Sequence, residues 1–97
     1  MYQYFSQLIP IKSCQKCRRD NDFIVVSNMS NKIMYLNNTA ADFYDLCNGH
    51  NTVNEIIANL MNDYDVELEI LQKDVIHIIR DLQWNKIIKL SKKPIME

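Results

Sequence analysis

The chain has 97 residues, enough for one small domain, and carries 11 basic against 12 acidic residues for a net charge of -1. That balance argues against a strong electrostatic attraction to nucleic acid or anionic lipid. No apolar run approaches the roughly 18 residues a membrane span needs, and "MYQYFSQLIPIK" lacks the basic and apolar regions of a signal peptide. With three cysteines, an odd count, and no secreted-scaffold spacing, the simpler expectation is a cytoplasmic chain with free thiols.

Taken in chain order, residues 1–13 are aromatic-rich and end near Pro10; they read as an irregular arm with at most a short strand. "QKCRR" (15–19) is a candidate first strand. "DFIVVSNM" (22–29) and "KIMYLN" (32–37) are β-branched and apolar around the polar turn signal at 30–31, so they predict a hairpin. The sheet is thus expected over about 14–37. From Asn38 the period becomes helical, with Asn38 or Thr39 as a candidate cap and Ala40, Phe43, Tyr44 and Cys47 on one face of a helix over about 39–48. Gly49 stands where a left-handed helix terminator is expected. Thr52 and Glu55 then form a T-x-x-E capping box for a helix over about 53–64, with an apolar stripe of Val53, Ile56, Ile57, Leu60, Met61 and Tyr64. A third helix, about 67–84, carries Leu68, Leu71, Val75, Ile78, Ile79 and Leu82 and ends near Trp84. "KIIKL" (86–90) reads as a last helical turn or a short strand, and the polar tail as frayed.

The expected fold class is therefore α+β and winged-helix-like: a three-stranded antiparallel sheet followed by three helices, in a single domain over 1–97.

Three kinds of chemistry were weighed against this order. Cys14, Cys17, Cys47 and His50 give C-x2-C…C-x2-H, a set zinc accepts tetrahedrally. Cys47, however, falls on the apolar side of its helix, where a cysteine acts as a small hydrophobe, and His50 reads as a solvated turn residue. The expectation is no metal and no cofactor. For catalysis, a single glycine cannot build a phosphate loop, and His77 has no visible orienting carboxylate at a fixed spacing. The expectation is no enzyme and no catalytic residue. A winged-helix DNA-binding protein is the alternative, with the third helix in the major groove. That helix presents Glu67, Glu69, Asp74 and Asp81 against only Lys73 and Arg80, and phosphates would repel it. What remains is a peptide surface: an uncovered edge at 32–37, which an extended peptide joins by strand addition, beside Ile76, an extra apolar position on the third helix.

The segment from Tyr35 to Ile88 resembles the PqqD-like peptide-recognition family, the recognition elements of ribosomally made, modified peptides (RiPPs). The resemblance rests on the order and spacing of "LNNTAA", "LCNG", "TVNEI", "YDV" and "DVIHIIRDL", with a looser match at "IPIKS…CRRDNDFIVV", and spans about residues 8–90. One departure is Trp84-Asn85-Lys86, where many relatives have a glycine after the third helix; Asn tolerates the left-handed cap needed there. The resemblance implies a non-catalytic protein that binds the leader of a precursor peptide and presents it to a modifying enzyme: a radical SAM enzyme, a cyclase or a leader peptidase. It implies strand contacts at Lys32, Ile33, Met34, Tyr35 and Leu36. The opposing helical wall, chosen by geometry and not by a family motif, is Gln72, Ile76, Ile79, Arg80 and Gln83. Neither nucleic acid nor membrane is an expected partner.

Overall fold

A computed structural model describes residues 2–13, 16–20, 23–30 and 32–93. The elements in order are α1 (Tyr2–Ser6), β1 (Ile9–Lys12), β2 (Lys16–Asp20), β3 (Phe23–Ser27), β4 (Ile33–Asn37), α2 (Asn38–Asp45), α3 (Val53–Met61), α4 (Leu68–Trp84) and β5 (Ile88–Ser91). The fold is α+β, with an antiparallel sheet in the order β2-β3-β4. β3 is central, with Val25 opposite both Arg18 and Tyr35, so β2 and β4 are the two edges.

The N-terminal arm contains the short strand the sequence allows, and the part before it is a helix and not irregular. β1 pairs antiparallel with β5, Ile9 opposite Ser91 and Lys12 opposite Ile88, as a second, two-stranded sheet. "KIIKL" thus feeds a strand and not a last helical turn. α1 packs on α3 and α4, burying Phe5.

One face of the three-stranded sheet supplies Ile24, Val26 and Leu36 to the core. α2 adds Phe43 and Tyr44, α3 adds Val53, Ile56, Ile57 and Leu60, and α4 adds Leu71, Val75, Ile79 and Leu82. These are the apolar stripes the 3.6-residue period predicts. The period overreaches at the helix ends. Leu68 is exposed, Ile78 is half-buried, and α3 stops at Met61. Tyr64 lies past that end, half-buried, and its hydroxyl donates to the Asp42 carboxylate on α2.

The corner between α2 and α3 is built from short polar contacts. α2 ends at Asp45, earlier than expected, so Gly49 does not terminate it. Gly49 does take the left-handed conformation (φ 84°), and it turns the backbone so that its N–H donates to Pro10 O in β1 at 3.2 Å. Asn48 Oδ1 accepts from His50 N at 2.9 Å and Asn51 N at 3.2 Å. The capping box is present: Glu55 N donates to Thr52 Oγ1 at 3.1 Å, and Thr52 N donates to Glu55 Oε1 at 2.9 Å.

Candidate peptide-binding groove

Of the two sheet edges, β2 is blunted by charge. Its sequence is KCRRD, and the Arg19 guanidinium is paired with the Asp45 carboxylate. β4, IMYLN, carries no charge along its length. Edge strands are ordinarily protected by charged residues, so a bare edge is a template for an added strand. Asn28 N donates to Lys32 O at 3.1 Å and closes the hairpin. Hydrogen-bonded and non-bonded pairs alternate along an antiparallel ladder. From the 28–32 closure, Met34 and Leu36 direct their backbone groups towards β3, and Ile33 and Tyr35 direct theirs to the open edge.

The side chains of β4 alternate as the pleat requires. Leu36 is only 3% exposed and Met34 is half-buried against the core. Ile33 and Tyr35, 57% and 70% exposed, stand on the outer face. Lys32 is exposed just before the strand.

The residues expected to face that edge lie on α4. By its period of about 100° per residue, Gln72, Ile76, Arg80 and Gln83 fall within roughly 80° of one another. Gln72 and Ile76 are half-buried, Ile76 against the core, while Arg80 and Gln83 are exposed. Ile79 is 0% exposed: it belongs to the core and supports this flank from beneath without a surface of its own. Leu36 has the same standing on the strand side.

The two walls are joined at their ends. α4 packs on α1, α2, α3 and β5, whereas β4 packs on β3 and α2, so α2 buttresses both. At the hairpin end, Asn28 Nδ2 donates to Asn85 O, beyond the end of α4, at 2.8 Å. Asn28 Oδ1 meanwhile accepts from Ser30 N at 2.8 Å and Lys32 N at 3.1 Å. Gln83 and the hairpin's Met29 share one concavity with Lys86 and with residues of β1 and β5.

Two residues of this region escaped the sequence reading. Asn28 had a signal: an Asn leading into a polar turn can accept from the backbone N–H two residues on, an Asx turn. Trp84 seemed the end of the core stripe but is 85% exposed, bordering Arg80 and Gln83. The helical period already places it roughly opposite the core face.

The family model described as Coenzyme PQQ synthesis protein D (PqqD) matches residues 22–88. The chain belongs to the PqqD family. PqqD is a non-catalytic accessory protein of coenzyme PQQ synthesis, and its family supports a role as a precursor-peptide-binding partner of the biosynthetic enzymes. The matched segment runs from β3 through α4 and includes β4. No significant match to the chain was found among curated proteins or solved structures.

The glycine that many PqqD relatives carry after the last helix is replaced here in an unexpected way. Asn85, the expected left-handed residue, has φ -90°; Lys86 takes the left-handed position at φ 60°. Ile87 N donates to Leu82 O at 2.8 Å and Lys86 N to Gln83 O at 3.0 Å, a Schellman pair that satisfies the last carbonyls of α4.

The suspected metal set does not assemble around Cys47. Its side chain is fully buried, Sγ donating to Phe43 O at 3.3 Å, and burial pushes the thiol up to about 12. Cys17 is exposed on β2 and His50 on the corner, while Cys14 lies outside the described residues. Among the described residues no cluster of three His, Cys, Asp or Glu side chains could hold a metal. No helix of the described residues is long and apolar enough to cross a membrane.

Proposed function

We propose that the chain binds the leader segment of a ribosomally synthesised precursor peptide by strand addition to β4, and presents the remainder to a modifying enzyme. The observation that carries this reading is the uncharged β4 edge, its Ile33 and Tyr35 backbone groups turned outward. Backbone pairing to Ile33 and Tyr35 supplies affinity and register, and pockets for alternate leader side chains supply specificity. Lys32 and Met34 flank those contacts, and Leu36 and Ile79 keep the groove floor rigid. Gln72, Ile76, Arg80 and Gln83 form its far wall. The chain itself performs no chemistry. By holding the leader it raises the effective concentration of the core segment at the enzyme. The partner is a radical SAM enzyme, a cyclase or a leader peptidase, in a cytoplasmic setting that suits free Cys17 and Cys47 thiols.

Titrating a cognate leader peptide into ¹⁵N-labelled protein tests the reading. The expected amide shifts cluster at residues 32–36 and along residues 72–83. Shifts confined to α3 would overturn it.

A further inference from the structure

The outer face of the sheet carries a second feature, continuous with the β4 edge. Ile33 and Tyr35 are exposed, and both lie on that outer face, opposite the face that Leu36 turns to the core. Beside them on β3 stand Phe23 and Val25, half-buried. The Tyr35 ring packs against Phe23 with centroids 5.9 Å apart, so the outer surface is a held aromatic platform and not a loose side chain. These four residues line one shallow concavity on the sheet, which Lys16 and Arg18 of β2 border on the side away from β4. An edge strand with exposed apolar side chains on its solvent face is a liability unless something covers it.

We propose that the peptide bound at β4 is read on both faces: it presents apolar or aromatic residues at positions i and i+2 to Ile33 and Tyr35, in addition to the residue at i+1 that enters the groove beside Met34. This rests on the strand-addition reading and narrows its ligand to an extended segment with apolar side chains on both rows.

The argument is geometric. The side chains of an added strand alternate between the two faces. Because Ile33 and Tyr35 turn their backbone groups outward, the peptide residues opposite them share their hydrogen-bonded pairs, and side chains directly opposite lie about 5 Å apart on the same face. A peptide with polar residues there would leave Ile33 and Tyr35 exposed and gain nothing from the Phe23–Tyr35 platform. An apolar pair covers it, and the platform's fixed geometry lowers the ordering cost. The i, i+2 pattern reads the same for either strand direction.

A displayed library of random 12-residue peptides, selected on the full chain, tests this. Wild-type protein is expected to enrich peptides with apolar or aromatic residues at i and i+2 around a central apolar residue. Their amide shifts should map to residues 32–36. Tyr35→Lys should weaken the best such peptide about fivefold or more, and Tyr35→Phe should restore it. Tyr4→Lys, which removes an equally exposed ring from α1, should leave affinity unchanged. Melting curves should show all three variants folded. Enriched peptides that shift residues 32–36 but show no preference at i and i+2, or that bind Tyr35→Lys as well as wild type, would overturn the two-faced reading and leave strand addition standing. Failure of every enriched peptide to perturb residues 32–36, or a dimer that buries β4 and rejects the library, would overturn strand addition and this inference with it.

Discussion

Lys86 holds a left-handed backbone at φ 60° where α4 turns into β5, and its carbonyl accepts from Ser13 Oγ at 3.1 Å. A side chain with a Cβ pays steric strain there that glycine avoids. Lys86→Gly is therefore expected to raise stability by about 1 kcal/mol, read as a higher urea midpoint with an unchanged slope. An unchanged midpoint would show that the Schellman turn carries no strain. Cys47 makes a different residue-scale prediction. Burial is the main cause of its raised pKa, with Asp45 adding and Lys12 opposing. The folded value, about 12, lies above the ordinary 9.0, so the neutral thiol's contribution is complete below pH 9 and is lost as pH climbs from 9 towards 12. Iodoacetamide at pH 8 should alkylate exposed Cys17 and spare Cys47 until urea unfolds the chain, as mapped by peptide mass spectrometry.

At the scale of elements, one buried side chain fixes the β3–β4 hairpin to the turn after α4. Asn28→Asp separates its two roles. The carboxylate can still accept from Ser30 N and Lys32 N, but it faces Asn85 O without a proton to donate. Its hairpin should survive while the tie to α4 fails, with amide exchange in β4 rising more than the melting temperature falls. Asn28→Ala loses both roles and should cost roughly 1–3 kcal/mol. Equal exchange in wild type and Asn28→Asp would remove the residue from the groove's architecture. The elements legible in the sequence are those that announce themselves locally. The FIVVS and IMYLN strands flank a polar turn, the Thr52–Glu55 box opens α3, and four apolar residues of α4 recur at helical spacing and are buried. Gly49 was legible as a left-handed residue, but its partner, Pro10 O, comes from a strand 39 positions earlier, which no window around residues 45–56 contains. The groove's far wall was only partly legible. A 3.6-residue period orders residues around α4, yet it does not say where the buried sector ends, and Ile79, expected on the wall, is core.

The molecule as a whole is closed by contacts between its ends, and β1 is the piece the sequence conceals. Four residues including a proline give no periodic signal, and their partner β5 lies near the opposite end of the chain. Yet β1 and its flanks tie together three distant parts. Ser13 N donates to Ile87 O at 2.8 Å, Val53 N donates to Leu8 O at 2.9 Å, and Gly49 N reaches Pro10 O. Phe5 and Ile9 are buried, and each contributes about 1.5–3 kcal/mol of apolar burial. Small domains have a net stability of only about 5–15 kcal/mol. Removing residues 2–12 would also strip β5 of its partner and expose Ile88, which is buried in the core. The truncated chain should therefore lose its cooperative urea transition, although it keeps the whole family-matched segment, residues 22–88. Ile9→Ala offers the graded form: a loss of about 2–5 kcal/mol with the transition retained. A truncated chain that unfolds at the wild-type midpoint would mean that β3 to α4 fold without the clasp, and that β1 only decorates them.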